Sequence, residues 1–123
     1  MARILIVDDS WLIRQTLVNL FKKTDYEISV AENGTQALEK CKKEKPDCLL
    51  LDLLMPDIDG LDVFKQLKQE DFDVPVLILT ADIQSTTQER CFKEGIFGFL
   101  QKPPKEENVL FMVEKALKSK TEG

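Results

Sequence analysis

The sequence predicts a three-layer α/β sandwich, in which five helices cover a parallel sheet of five strands. Four short apolar runs end abruptly at polar residues, and they cover residues 4–7, 48–51, 76–79 and 97–100. Short apolar runs between turn signals are typical of strands that are buried on both faces. Helical patterns separate these runs, and parallel neighbours need such crossover connections. The alternation therefore predicts a parallel sheet with helices on both sides.

The first half of the chain predicts three strands and two helices. The strands cover residues 4–7, Glu27–Ala31 and Cys48–Asp52, and the helices cover about 11–23 and 35–44. Asn33-Gly34 marks the turn before the second helix, and Pro46 marks the break before the third strand. We expect the first helix to turn one stripe inward, formed by Leu12, Thr16, Leu17, Leu20 and Phe21.

The second half of the chain predicts three helices and two strands. A loop at residues 55–60 leads into a helix whose inner face carries Leu61, Phe64 and Leu67. The fourth strand ends at Leu79, a polar helix covers about 84–93, and the fifth strand covers 97–100. The final helix covers about 106–118, and we expect the polar tail at 119–123 to fray.

The composition is that of an ordinary globular protein, with 123 residues, 43% hydrophobic side chains and a net charge of −5. We expect one domain over residues 1–123, because this length supports one core rather than two. An alternative is that the polar tail begins a linker. The negative charge argues against direct nucleic-acid binding. The longest apolar run, at 109–113, is too short to span a membrane, and the N-terminus has no signal-peptide pattern.

The chain contains three cysteines and no histidine. Cys41, Cys48 and Cys91 lack CxxC spacing and fall within predicted helices or strands. We therefore expect small buried side chains in a protein of the reducing cytoplasm. Without histidine, Ser–His, Cys–His and His–metal chemistry are excluded for this chain alone, so any reacting histidine must come from a partner.

Chemically active residues follow the predicted strands at the point where each strand ends. They are Asp8 and Asp9, Asp52, Thr80, and Lys102. All carboxyl ends of a parallel sheet face one rim, and ligands bind at that rim. We therefore expect three carboxylates, one hydroxyl and one ammonium group to meet at a single place.

The carboxylates predict a site for a divalent cation. Asp8, Asp9 and Asp52 would repel one another if they were crowded together without one. Oxygen ligands with few protein donors suit Mg²⁺, which keeps several waters and binds phosphate oxygens. The alternative, that Asp8 and Asp9 merely cap the first helix, does not explain an aspartate and a lysine at matching strand ends.

Asp52 is the candidate nucleophile, because a carboxylate can attack a phosphoryl group and form an acyl phosphate. Positive charge and positioning dominate phosphoryl transfer, and Mg²⁺ with Lys102 would supply them. The Thr80 hydroxyl can donate to a phosphoryl oxygen. Asp57 and Asp59 are interpreted as loop and helix-capping residues rather than metal ligands.

Four motifs, in order along the chain, resemble the response regulator receiver domains of two-component signalling. They are the Asp8-Asp9 pair, the segment LLLDLLMPDIDG around Asp52, the triplet LTA at Thr80, and FLQKP ending at Lys102-Pro103. The resemblance covers essentially the whole chain. Within that family the chain resembles single-domain regulators of the chemotaxis or relay type, which act by binding another protein.

The resemblance implies a fold, a site and a mode of action. The fold is flavodoxin-like, with strand order 2-1-3-4-5. Asp52 is the phosphoacceptor, Mg²⁺ is bound by Asp8, Asp9, Asp52 and the Leu54 carbonyl, and Thr80 and Lys102 bind the phosphoryl group. The Lys102–Pro103 bond is cis. A histidine kinase or histidine phosphotransfer protein is the donor. Phosphorylation shifts an equilibrium through Thr80 and Phe99, and a downstream protein binds helix 4, strand 5 and helix 5.

Two other functions remain open from the residues alone. A Mg²⁺ phosphohydrolase of the haloacid-dehalogenase type would also use an aspartyl nucleophile, but it carries a DxD motif where this chain has Asp8-Asp9. A flavodoxin-type FMN protein would need a phosphate cradle, and the first loop is doubly negative instead. The receiver interpretation makes the chain a switch rather than an enzyme that turns over a substrate.

Three features depart from the common receiver pattern. Ile96 and Phe97 are larger than usual, and residues 109–113 are apolar around more than half of the last helix. That helix makes either a wide core contact or an exposed patch for a partner or a homodimer.

Leu54 and Asp82 flank the route of attacking water, so we expect Leu54 to affect the acyl-phosphate lifetime.

Overall fold

The computed structural model describes residues 1–81 and 85–122. Five strands alternate with five helices, and the first helix ends in a short 3₁₀ turn, Phe21–Lys23. The strands are β1 Arg3–Val7, β2 Glu27–Ala31, β3 Cys48–Asp52, β4 Val76–Thr80 and β5 Gly98–Gln101. The helices are α1 Trp11–Leu20, α2 Gly34–Glu44, α3 Gly60–Gln69, α4 Ser85–Glu94 and α5 Glu106–Glu122.

All strand pairs are parallel, and their order is β2-β1-β3-β4-β5. This order confirms the α/β sandwich with strand order 2-1-3-4-5. The register aligns Val7 with Leu51 and Asp52 with Leu79, so neighbouring strands end at nearly the same level. The carboxyl ends therefore form one continuous rim.

The core consists of two layers, one on each face of the sheet. Alternate residues of every strand point to opposite faces. Ile4 and Ile6 belong to the layer under α1 and α5, whereas Leu5 and Val7 belong to the layer under α2 and α3. Because both faces are covered, β3 and β4 are buried along their whole length and are apolar up to their last residues, Asp52 and Thr80.

Side-chain caps start three of the helices as their sequences predict. The oxygens of Ser10, Asn33 and Asp59 accept hydrogen bonds from the backbone N–H groups three residues later, at the starts of α1, α2 and α3. The capping interpretation of Asp59 is therefore confirmed. Each cap fixes the point at which a loop from the rim enters its helix.

The predicted inner stripe of α1 is wrong in part. Leu12 and Thr16 are exposed, whereas Arg14, Leu17 and Leu20 are the buried residues of this helix. The stripe is rotated because Arg14 lies inside with its polar atoms bonded. An arginine is usually assigned to the outer face, so the sequence pattern favoured the wrong side.

Some predicted boundaries also change. Strand β5 is shifted by one residue, because Gln101 pairs with Thr80. Helix α5 runs on to Glu122, beyond its predicted end at about residue 118. No glycine or proline interrupts the chain between 106 and 122, so nothing in the sequence stops the helix. Asp82 and Gln84, the latter the predicted start of α4, lie outside the described residues.

The three cysteines are free and buried, as predicted. Burial raises the pKa of the Cys41 thiol to about 12, which keeps it protonated and unreactive. Among the helices that the structure describes, none combines the length and apolar character needed to cross a membrane.

Candidate functional site

The rim at the carboxyl ends of the strands brings together the residues that the sequence singled out. Asp8 and Asp9 follow β1, Asp52 is the last residue of β3, Thr80 is the last of β4, and Lys102 follows β5. Ligand oxygens of Asp8, Asp9 and Asp52 all lie within 4.8 Å of one another. The parallel topology thus converts four distant sequence positions into one acidic pocket.

The carboxylates of Asp8 and Asp52 are almost completely withdrawn from solvent. Asp8 is fully buried and Asp52 is 4% exposed, whereas Asp9 is exposed. One oxygen of Asp8, Oδ1, accepts a hydrogen bond of 2.9 Å from the backbone N–H of Ser10. The other, Oδ2, accepts no hydrogen bond of good geometry from the described residues, although a cation lies beside it.

That cation is Lys102, whose ammonium bridges two of the acids. Its Nζ lies 2.8 Å from Asp8 Oδ2 and 3.1 Å from Asp52 Oδ1. The Lys102–Pro103 peptide is cis, as expected, and the Lys102 N–H donates to the Thr80 carbonyl at 2.9 Å. Burial lowers the pKa of Lys102, but its close contacts with the two acids outweigh burial and raise the pKa. The ammonium therefore stays charged.

Asp52 is the acid whose protonation is most disturbed. Burial and the negative charge of Asp8 raise its pKa and Lys102 lowers it, and the net result is a pKa of about 6. The ionised form of Asp52 is therefore less favoured, relative to the protonated form, than in a solvent-exposed aspartate. Any additional positive charge in the pocket would relieve that disadvantage.

The pocket fits a hard divalent cation. Three carboxylates supply oxygen donors, and Oδ2 of buried Asp8 has an ion pair but no directed hydrogen bond among the described residues. Hard oxygen donors at the edge of solvent are the ligands that Mg²⁺ prefers, because the ion keeps part of its water shell. The donor chemistry agrees with the predicted magnesium site.

Thr80 and Phe99 occupy neighbouring strands. Thr80 is buried at the end of β4. Phe99 of β5 is half-buried against the layer under α2 and α3, and its ring meets the Phe92 ring of α4 edge-on at 5.3 Å. The two rings therefore link β5 to α4.

The loop between β3 and α3 is tied to the start of α2. Asp57 accepts hydrogen bonds from the backbone N–H groups of Gly34 and Thr35 at the start of α2, each at 3.0 Å. These hydrogen bonds hold the pKa of Asp57 well below its usual range. Leu54, in the same loop and two residues after Asp52, has a side chain that is 75% exposed.

The sequence interpretation missed Arg14. This residue lies on the buried stripe of α1, and its Nη1 donates to the backbone carbonyl of Asp8 at 2.8 Å. The available signal was an arginine spaced three residues from Leu17 on an otherwise apolar helix face. A charged residue at such a position needs a buried partner.

Comparison with known proteins shows the family. Residues 4–114 match the response regulator receiver domain. The chain is 36% identical over 119 residues to the chemotaxis protein CheY of Listeria monocytogenes, covering 96% of this chain and 100% of that protein. It is 37% identical over 101 residues to the response regulator MprA of Mycobacterium leprae, covering 82% of this chain but 44% of that longer protein.

A solved structure confirms the fold. The signal receiver domain of a putative Luxo repressor protein from Vibrio parahaemolyticus superposes with a TM-score of 0.93 at 30% identity, covering 96% of this chain and 91% of that one. Receiver domains are signalling domains that bind Mg²⁺ at an acidic pocket and interact with histidine kinases and downstream targets. Among the three interpretations of the sequence, the comparisons favour the first, and the chain belongs to the response regulator receiver domain family of two-component signalling.

Proposed function

We propose that this chain is a Mg²⁺-dependent switch that accepts a phosphoryl group on Asp52 and thereby changes its binding to a downstream protein. The observation that carries the proposal is the pocket itself. Two buried carboxylates and one exposed carboxylate converge within 4.8 Å, and a lysine ammonium bridges two of them. Such a pocket is suited to bringing negatively charged phosphoryl oxygens close to a carboxylate nucleophile.

Asp8, Asp9, Asp52 and the backbone carbonyl of Leu54 would hold the cation. Bound there, Mg²⁺ supplies positive charge to the equatorial oxygens of the transferring phosphoryl group. Asp52 supplies the nucleophilic oxygen. As its Oδ–P bond forms, the P–N bond of a partner's phosphohistidine breaks, and the leaving imidazole takes up a proton. The partner must bring that histidine, since this chain has none.

Lys102 and Thr80 would receive the new phosphoryl group. The Lys102 ammonium already touches Asp52 and can pass from the carboxylate to a phosphoryl oxygen with a small displacement. The Thr80 hydroxyl, at the end of the adjacent strand, donates to another oxygen. Movement of Thr80 would free space beside Phe99, whose ring then turns inward and shifts the population of two conformations.

The downstream partner would bind the face formed by α4, β5 and α5. Phe92 and Phe111 are exposed there, while Val109 and Val113 are buried, so α5 combines a core contact with an exposed aromatic residue. An open groove of about 310 Å³ lies between β5 and α5. Self-association, measured with and without a phosphoryl mimic, tests whether the partner can be a second copy of this chain. A protein that is monomeric in both states would exclude the homodimer.

Stoichiometric labelling tests the proposal. The protein is incubated with a small phosphodonor such as acetyl phosphate, with Mg²⁺ or with a chelator, and phosphate incorporation is followed over time. We expect at most one phosphoryl group per chain, formed only with Mg²⁺ and lost slowly after the donor is removed. Continuous turnover of a phosphate ester without a labelled protein would instead support a phosphohydrolase.

A further inference from the structure

We propose that Arg14 is a positioning residue for the cation site, holding the Asp8–Asp9 turn in the shape that directs both carboxylates toward one ion. The inference rests on the proposed function, because it concerns the same magnesium site. Arg14 makes no contact with the predicted ligand oxygens among the interactions described. It acts through the backbone of Asp8.

The guanidinium of Arg14 joins the ends of two neighbouring strands. Its side chain is 9% exposed, and its Nη1 donates to the Asp8 carbonyl at 2.8 Å. Its Nη2 lies 3.5 Å from Oε1 of Glu32, which follows β2. The Glu32 side chain is 62% exposed, so solvent weakens this ion pair. The buried hydrogen bond to the Asp8 carbonyl is therefore the contact that matters.

That carbonyl belongs to the peptide group linking Asp8 to Asp9. Fixing it holds the plane of the peptide, and with it the position of the Asp9 Cα from which that side chain leaves the backbone. Asp8 is fixed elsewhere as well: its N–H donates to Ala31 at 3.2 Å, and its Oδ1 accepts from Ser10 at 2.9 Å. Its Oδ2 lies in the pocket beside the Lys102 ammonium.

A merely space-filling role does not account for the residue type. The neighbouring buried positions of α1 are leucines, Leu17 and Leu20, and both lie in the apolar layer under α1 and α5. Burying a guanidinium carries a desolvation penalty that a leucine or methionine would avoid. The fork of donors reaches the Asp8 carbonyl and Glu32 together, which an apolar side chain of similar size cannot do.

Mg²⁺ titration of the full chain tests the inference. Trp11, the only tryptophan, lies two residues after Asp9, so its fluorescence is the reporter of binding. We expect Arg14→Met to weaken Mg²⁺ binding by about tenfold or more, as loss of an outer-shell partner does. Arg14→Lys should restore part of the affinity, and Glu32→Gln should stay within about twofold of wild type. Asp9→Asn should abolish the signal.

Leu17→Ala is the matched control for a purely structural role. It removes a buried side chain from the same face of α1 without touching the turn, so we expect it to lower the urea midpoint and leave the Mg²⁺ affinity unchanged. The inference is overturned if Arg14→Met keeps wild-type affinity, or if Leu17→Ala weakens binding equally.

Should Arg14→Met fail to fold, the same comparison is made between Arg14→Lys and Leu17→Ala. Arg14→Lys must then bind Mg²⁺ more weakly than Leu17→Ala for the inference to stand. A wild type that binds no Mg²⁺ contradicts the proposed function itself, and that result is distinct from an Arg14 variant with unaltered affinity.

Discussion

Asp52 lies in an environment that favours a bound cation and disfavours an unpaired carboxylate. Burial and the charge of Asp8 raise its pKa to about 6, although Lys102 lies within 3.1 Å. The folded protein therefore binds a proton at Asp52 more tightly than the unfolded chain, whose aspartates titrate near about 3.9. Without Mg²⁺, the contribution of Asp52 to the free energy of unfolding therefore falls as the pH rises from about 4 to about 6.

Asp52→Asn should make the metal-free protein more stable at pH 7. We expect its free energy of unfolding to rise by about 1–2 kcal/mol, less than the full pKa shift implies, because an amide does not reproduce every contact of a protonated carboxyl group. Lys102 keeps its partner Asp8. The gain should vanish near pH 4, where Asp52 is protonated in the folded protein. Urea unfolding at both pH values, with a chelator present, measures it; an equal gain at both would contradict the assigned cause.

Leu54 should control how fast water reaches the phosphorylated Asp52. Its side chain is 75% exposed, two residues beyond the acceptor, so it can shield the phosphoryl group without being needed for packing. We expect Leu54→Asn to shorten the acyl-phosphate lifetime several-fold, because an amide admits and orients water. Leu54→Met should keep the lifetime. Decay of the labelled protein after donor removal measures both, and identical rates for all three proteins would remove the role.

At the scale of elements, the junction of β3 with α3 is the tightest part of the site. A Cβ added at Gly60 would lie 2.4 Å from the backbone oxygen of Asp52 and 3.1 Å from Leu53 Cα. Both atoms belong to the backbone, so a side-chain rotation cannot relieve the clash. By contrast, a Cβ at Gly98 would meet the terminal methyl of Met112 at 2.6 Å, which can rotate.

Gly60→Ala should therefore destabilise the protein more than Gly98→Ala. We expect Gly60→Ala to lower the free energy of unfolding by about 2–3 kcal/mol and to weaken Mg²⁺ binding, because the end of β3 must move. Gly98→Ala should lower it by about 1 kcal/mol or less and leave Mg²⁺ binding unchanged. Urea unfolding and the Trp11 titration compare the pair. Equal losses would show that Asp52 is not held by this close approach.

Helix α1 shows why element patterns alone were insufficient. Helical spacing placed Leu12 and Thr16 on the buried stripe and passed over Arg14, whereas in the structure Arg14 is buried and the other two are exposed. Hydrophobic periodicity is derived from apolar residues alone. It gives no information on whether a buried guanidinium has a backbone carbonyl to bind, as Arg14 has at Asp8. Helix α5 shows the converse, because its predicted end lay at about residue 118 and the helix continues to Glu122.

At the scale of the whole molecule, topology made most of the site predictable. Parallel strands end on the same side, so Asp8, Asp52, Thr80 and Lys102 had to approach one another once the strands were recognised. The sequence could not predict that Asp8 is fully buried, that Lys102 bridges Asp8 and Asp52, or that Asp57 ties the β3–α3 loop to α2. These features depend on the directions of individual side chains, and hydrophobic periodicity does not predict such directions at strand ends and in loops.

The most direct measurement is the intact mass of the protein after incubation with acetyl phosphate and Mg²⁺. The wild type and the variants Asp52→Asn and Asp25→Asn are compared, the latter removing an exposed aspartate before β2, at the opposite edge of the sheet. We predict that the wild type and Asp25→Asn each gain the mass of one phosphoryl group, and that Asp52→Asn gains none. Phosphorylation of Asp52→Asn to the wild-type level, or no gain in the wild type, would contradict the account.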